Sequence, residues 1–591
     1  MSARRPLAVA LAAGALTALS RWTPLFDPDS FWHLHTGRFI ATQRAIPWID
    51  SFSHTARGRP WRFIDVASDV ALYGAWSLGS YTGVIALTVA LGFAAAGLST
   101  LTQSRALGDA RVAPLVAVAP WVASTLAFRL TPRPQTFAFV ALSALLYLAV
   151  ASRARPRLLW LAPLVVALWQ NLHASGPLGV LVVGAVAVGA ALDRRDAKTP
   201  CIVTALSALA LLACPHPLAR LAEGLSHVAD PRLAALISEW QPLWRLHALS
   251  PAIVALGGLF ALALIGALQR RARRPDTALL LIAAGVSFMA LRAVRFVPLA
   301  GLALAPVAAF GARRLLDAVR VRTALAAALA LAGIATLYAG RKPFGARVNA
   351  AMLPVGAAQF VARTQPAGNL VHDFEMGGYL MWTLSPRHPV FVDGRSWALY
   401  DTGFLLDALQ LTGDRLVRLV PRYDLRVAVL WTEARVGLLQ REGWHLVYLD
   451  DVASVLVRAP DDAPYVARYG YRELHPARWS DDLTRLARDP AALARAERES
   501  ERMVREAPQS AMAHVLRATV EAAAGRGAEA DASARRAVQL RPDLTPPHRM
   551  MMLRCAARDD RACVCAESAA VRARAPRNEQ AAEFARRYGC R

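Results

Sequence analysis

The sequence predicts a mainly α-helical protein in three parts: a polytopic helical membrane domain over residues 1–340, a small α/β domain over 341–465, and a helical repeat array over 480–591. Three observations predict it. Apolar runs broken by short arginine-rich loops fill the first part, and a membrane span needs about 20 apolar residues, fewer inside a bundle. Beyond residue 340 the chain turns to mixed, charged sequence. In the last part Pro508, Pro542 and Pro576 recur every 34 residues. The whole chain of 591 residues is 55% hydrophobic and only 19% charged, against about 25% charged for a soluble domain.

Taken in order, 11 segments are expected to span: 6–22, 81–103, 112–128, 134–152, 157–173, 177–192, 200–214, 250–268, 277–291, 297–311 and 323–339. The stretch 66–79, with Asp65 and Asp69 at its start, reads as an amphipathic helix lying at the interface. One set of short loops carries Arg4, Arg5, Arg105, Arg111, Arg153, Arg155 and Arg157, which the positive-inside rule assigns to the cytoplasm. The N-terminus is then cytoplasmic, and an odd number of spans puts everything after about residue 340 outside. The first segment also fits a cleaved signal peptide, since Arg4-Arg5 precede a modest apolar core. The first loop, 23–80, is external under either reading. The net charge of +25 follows largely from these loop arginines, and no nucleic-acid-binding motif is present, so no nucleic-acid partner is expected.

In the second part Leu370–His372, Pro389–Val392, Leu425–Trp431, Trp444–Leu449 and Ser454–Arg458 read as short strands. Pro354–Ala362, Phe404–Leu411 and Glu433–Arg441 read as helices. Gly377-Gly378 and Gly394 lack dinucleotide-loop spacing, so no nucleotide site is expected. In the third part the 34-residue period, with Ala530, Ala534 and Ala537 preceding Pro542, reads as tetratricopeptide repeats, whose units stack to bury a core and present a surface to a protein partner. Cys201 and Cys214 fall in an apolar segment and read as packing residues. Cys555, Cys563, Cys565 and Cys590 cluster at the end, where an external compartment lets them oxidise; four cysteines allow three pairings.

The polar residues that topology does not require collect in the external loops. The first loop holds Asp27-Pro28-Asp29, His33, His35 and Arg38. Other loops bring Arg133, Asn171, His173, Glu239, Arg292 and Arg295. Ionisable groups at membrane depth are costly and usually face a wet cavity. A carboxylate there can act as general base towards an acceptor hydroxyl, and arginines can clamp a phosphate leaving group. Asp27 and Asp29 are therefore the catalytic candidates and the others the substrate-binding candidates. Asp393-Gly394-Arg395 follows an expected strand and reads either as a further contributor to the cavity or as a turn with a local ion pair. Carboxylates at the spacing of Asp27 and Asp29 can also share a divalent cation.

The stretch from Phe26 to Arg38, with Ile46-Pro47, Asp50-Ser51-Phe52 and Gly58-Arg59-Pro60-Trp61, resembles bacterial polytopic proteins of the GT-C glycosyltransferase superfamily. So do Arg133-Pro134-Gln135, Asn171-Leu172-His173, Gly377-Gly378-Tyr379-Leu380 and Val392-Asp393-Gly394-Arg395. The resemblance covers about residues 20–460. It implies an integral enzyme of the bacterial inner membrane that takes a sugar from a polyprenyl-phosphate-linked donor. It implies an acidic catalytic residue in the first external loop, here Asp27 or Asp29, and external C-terminal domains. The rival expectation is a non-enzymatic assembly protein that recruits partners through its repeats.

Overall fold

The computed structural model describes residues 4–62, 65–108, 111–226, 237–245, 250–269, 275–339, 343–411, 413–432, 439, 443–460, 463–476 and 478–590. It divides into two compact units. The first comprises Met1–Asp50, Gly58–Asn349 and Arg395–Thr402; the second comprises Ser51–Arg57, Ala350–Gly394 and Gly403–Arg591.

The first unit is helical. Its described helices are α1 (Arg4–Ser20), α2 (Asp29–Gln43), α3 (Val66–Leu107), α4 (Ala113–Ala127), α5 (Pro134–Ala151), α6 (Ala162–Leu172), α7 (Gly176–Leu192), α8 (Lys198–Ala210), α9 (Pro217–Ser226), α10 (Pro251–Ala267), α11 (Thr277–Arg292), α12 (Val297–Ala318) and α13 (Arg322–Ala339). Each expected span overlaps one of these helices; the start of 157–173 forms a 3-10 turn, Pro156–Leu161, ahead of α6. By length and composition, Val66–Leu107, Pro134–Ala151, Val294–Ala318 and Arg322–Ala339 are long and apolar enough to cross a membrane. In lipid every backbone polar group must be satisfied within the segment, which is why apolar runs of this length become helices. The amphipathic stretch 66–79 and the span 81–103 form one element, α3, interrupted where Gly79 and Ser80 leave helical geometry.

Close packing rests on small residues. A Cβ on Gly311 of α12 would lie 1.8 Å from the carbonyl oxygen of Leu262 in α10, and one on Gly266 of α10 would lie 2.4 Å from that of Val307. The two backbones can approach only because both positions lack a side chain, the usual device for packing helices in lipid. Gly37 does the same for α2, where a Cβ would lie 2.0 Å from the Asp69 carbonyl oxygen of α3.

The second unit holds a four-stranded sheet in the order β1-β2-β4-β3, with β1 Asn369–His372, β2 Leu425–Trp431, β3 Trp444–Leu449 and β4 Ala453–Arg458. β1 and β2 are parallel, and the other two pairings are antiparallel. Val371, Val427, Val429, Val455 and Val457 are buried in it, as β-branched residues on a pleated, covered surface favour. Residues 389–392 do not form the expected strand. Val390 makes only a single parallel bridge to Ser53, because residues 51–57 and not a full strand lie alongside it. The expected helix Glu433–Arg441 lies outside the described residues but for Leu439.

Helices 479–488, 490–506, 511–523, 527–540, 545–557, 561–574 and 579–587 follow, each packed on the next. Asp489, Ser510, Asp560 and Asn578 cap four of them through side-chain oxygens that accept helix N–H groups. Ala530, Ala534 and Ala537 are fully buried. Disulfides join Cys555 to Cys563 and Cys565 to Cys590. Cys201, expected to pack, is exposed on α8.

Gly311→Val must push α10 and α12 apart. Overpacking of this kind costs about 1–3 kcal/mol, so the detergent-solubilised variant is expected to melt several degrees below the parent, whereas Gly285→Ala, which meets nothing within 4 Å, is expected to leave the midpoint unchanged.

Candidate functional site

The first loop is built to present two carboxylates at a helix start. Leu25 bridges Val348 in parallel, its N–H donating to the Arg347 carbonyl at 2.7 Å, which pins the chain just before Asp27. Asp27 Oδ1 then accepts the Asp29 N–H at 3.1 Å, a side-chain turn over Pro28. Pro28 takes the helical φ its ring favours, and α2 begins with both acids at its N-terminus, where the helix dipole favours negative charge. Trp32 Nε1 donates to Asp29 Oδ1 at 3.2 Å.

Arg133 faces these acids from the loop between α4 and α5. As the residue before Pro134 it is held extended, and Pro134 opens α5, so the guanidinium leaves the helix end. Its Nη2 lies 2.7 Å from Asp29 Oδ2 and its Nη1 3.6 Å from Asp27 Oδ2. Nη1 also lies 3.7 Å from Glu239 Oε2, on the short turn Ser238–Trp240. Glu239 in turn pairs with Arg129 and, at 3.6 Å, with Arg295. Arg295 is held by the Trp240 ring, 4.2 Å from its Cζ. Gln135 ties this end together, accepting from Arg129 Nε at 3.3 Å and donating to the Arg295 carbonyl at 3.1 Å. Three carboxylates and three guanidinium groups, all partly buried, thus form one cluster.

The environment separates the carboxylates. Burial pushes Asp29 up to about 6, with Asp27 and Glu239 adding to the rise and Arg133 opposing it. Burial alone would raise Glu239 too, but Arg133, Arg295 and Arg129 together hold it well below the usual carboxylate range. Arg133 stays cationic because Asp29, Asp27 and Glu239 outweigh its burial. His33 is held well below the ordinary histidine range, first by burial and then by Arg133 and His173.

The other candidates divide. His33 Nδ1 lies 2.6 Å from Asp69 Oδ1 at the start of α3, one proton serving both groups. His173 Nδ1 accepts the Ser175 N–H at 3.2 Å and faces Ser175 Oγ at 2.6 Å, while Trp169 donates to that hydroxyl. His35 and Arg38 pair with each other at 2.9 Å along α2. Asn171 donates to the carbonyls of Ala167 and Ala213, tying the end of α6 to the end of α8. Arg292 ends α11 exposed and pairs with no described carboxylate. Arg395 is fully buried, 2.5 Å from Asp50 and over the Trp61 ring, a long-range ion pair. Asp393 is buried in the second unit.

Sequence reasoning placed Arg129 and Gln135 in the same external loop as Arg133 but assigned them no role in the cluster they join. The signal was present in Arg129-Leu130-Thr131-Pro132-Arg133-Pro134-Gln135, where one short loop carries two arginines and an amide. It also missed the buried pair of Asp65 with Arg220. Among the described residues no three His, Cys, Asp or Glu side chains come together as metal ligands. Asp27 and Asp29 both face Arg133, whose charge opposes a cation between them.

No family model and no curated protein matches the chain. Solved structures do. The archaeal oligosaccharyltransferase AglB from Archaeoglobus fulgidus, in complex with an inhibitory peptide and a dolichol-phosphate, is similar with a TM-score of 0.55 and 15% identity over 78% of this chain and 75% of that one. The apo form of the Archaeoglobus fulgidus oligosaccharyltransferase gives 0.54 and 15% over the same shares. ArnT from Cupriavidus metallidurans bound to undecaprenyl phosphate gives 0.46 and 13%, over 78% of this chain and 98% of that one. The chain has the GT-C fold.

Removing the charge of Glu239 leaves three partly buried guanidinium groups facing one another. Glu239→Gln is expected to cost about 2–3 kcal/mol, below the 3–5 kcal/mol of a fully buried broken pair, read as a fall in thermal midpoint. Arg292→Gln, at an exposed position, is expected to stay within about 0.5 kcal/mol of the parent.

Proposed function

We propose that this chain is an integral-membrane glycosyltransferase of GT-C type, moving a sugar from a polyprenyl-phosphate-linked donor to an acceptor on the non-cytoplasmic side. The observation that carries the reading is the docking of Asp27-Pro28-Asp29 on Arg133 beside Arg129 and Arg295. The dolichol-phosphate bound by AglB, a protein of the same fold, supports a polyprenyl-phosphate carrier.

In this reading Asp29 is the general base. The acceptor hydroxyl gives its proton to the Asp29 carboxylate, and the acceptor oxygen bonds to the anomeric carbon. The bond from that carbon to the phosphate oxygen breaks, and its electron pair leaves with the polyprenyl phosphate. The phosphate goes from one negative charge to two, and Arg133, Arg129 and Arg295 stabilise the charge that develops. Glu239 holds these guanidinium groups in place before the donor arrives. His33, braced by Asp69, and His173, braced by Ser175, line the approach as neutral hydrogen-bonding groups. A single displacement of this kind inverts the anomeric configuration.

The N-terminus lies in the cytoplasm of a bacterial inner membrane, and the domains after about residue 340 lie in the periplasm or outside the cell. Residues 480–591 form tetratricopeptide-like repeats that recruit a protein partner; the capped helical array supports this role. That array also favours a second reading, in which the chain is a scaffold without transferase activity.

A base works only when ionised, and burial lifts Asp29 to about 6. Activity on a lipid-linked donor is therefore expected to be lost as pH falls through about 6 and to level off above it. Asp29→Asn is expected to lower turnover by about 10²–10⁴-fold at unchanged protein level and to abolish this acidic limb. Full activity in Asp27→Asn/Asp29→Asn overturns the transferase reading. Deleting residues 480–591 separates the two roles: loss of partner co-purification with glycan transfer intact assigns the repeats to recruitment alone.

A further inference from the structure

At the opposite ends of the same helices lies a cavity. The acid–arginine cluster sits where α4 and α11 end and where α5 and α12 begin. Where α4 and α11 begin and α3, α5, α7, α10 and α12 end, there is a cavity of about 1110 Å³. Pockets for small ligands run about 300–1,000 Å³.

The lining is ionic. Among the described residues it carries five arginines, Arg111, Arg153, Arg195, Arg313 and Arg314, against three aspartates, Asp193, Asp276 and Asp317, a net charge of +2. The carboxylates are already engaged. Asp276 is shared by Arg153 at 3.2 Å and Arg195 at 2.5 Å, Asp193 lies 3.1 Å from Arg195, and Asp317 pairs with Arg111 at 2.8 Å. Arg313 donates to the Leu107 carbonyl at 3.3 Å, and Arg314 to those of Ile265 and Leu268 at 3.4 Å, all near helix C-termini.

Loop arginines have a plainer account: they set topology and complement the negative ends of helix dipoles. That account needs only that they stand near the helix ends in solvent. It does not require them to converge on one concavity with more positive than negative charge. Guanidinium forks match phosphate oxygens, and basic pockets between membrane helices take up anionic lipid headgroups.

We propose that this cavity binds a phosphate group, supplied by the headgroup of an anionic phospholipid. The test uses the full chain in non-ionic detergent, titrated with dioctanoyl phosphatidylglycerol, dioctanoyl phosphatidylcholine or inorganic phosphate, with the thermal midpoint as readout. Phosphatidylglycerol is expected to raise the midpoint, and phosphatidylcholine, whose choline cation the arginines repel, is not. Arg313→Gln/Arg314→Gln is expected to weaken the phosphatidylglycerol response by roughly tenfold or more, while Arg320→Gln, which removes a charge outside the cavity, leaves it unchanged. An equal, arginine-dependent response to inorganic phosphate assigns the site to soluble phosphate and keeps the phosphate chemistry. Equal responses to the two lipids, or a parental response in the double variant, overturn the proposal. If the double variant does not fold, Arg111→Gln probes the opposite wall with the same expected loss and the same overturning result.

Discussion

The geometry of the candidate site depends on one guanidinium. Arg133 touches both acids of the first loop and Glu239 of the loop before α10, and among the described residues no strand pairing joins those segments. Such a tie is held less by its net strength than by what its loss would leave behind. A partly buried ion pair gains little over a hydrophobic contact, but a charge stripped of its partner pays the full cost of desolvation. Three positive and three negative groups in one cluster satisfy this condition mutually, so each loop is fixed by the others.

The scaffold exists to make that convergence possible. Pro134 holds Arg133 extended, Pro28 starts α2 so that its N-terminus carries the acids, and the bridge from Leu25 to Val348 brings the chain end of the first unit back to the loop. Gly37 lets α2 lie against α3, which places His33 on Asp69. The same burial that makes the ion pairs obligatory also separates the carboxylates. Asp29 keeps a proton affinity near neutrality, whereas Glu239, with three arginines around it, stays ionised. One cluster thus contains a group suited to exchange a proton and a group suited only to hold cations.

The helices were legible because long apolar runs have few alternatives to a helix, and each expected segment overlaps one, although among the described residues only four helices are long and apolar enough to cross a membrane. All four strands of the sheet were legible at both ends to within a residue, since β-branched runs bounded by turns have few alternatives. Residues 389–392 have the same composition and still fail to form a strand, because pairing depends on what lies alongside and not on propensity. Within the site, Asp27, Asp29, Arg133, Glu239 and Arg295 could be chosen from their types and loop positions. Arg292 and Asn171 share those types and positions but lie outside the ion-pair cluster, one exposed and the other bonded to backbone carbonyls.

By itself the sequence determined the succession of apolar helical segments, the 34-residue period of the tail and the presence of two acids at the start of α2. These are local matters of hydrophobic length, composition and turn chemistry, readable within a window of tens of residues. Tertiary structure alone decided that Arg395 answers Asp50, that Glu239 gathers Arg129, Arg133 and Arg295, which cysteines pair, and that arginines at the far helix ends surround a single cavity. Those outcomes link residues from distant parts of the chain, and an electrostatic partner is set by proximity and burial, neither of which sequence spacing encodes.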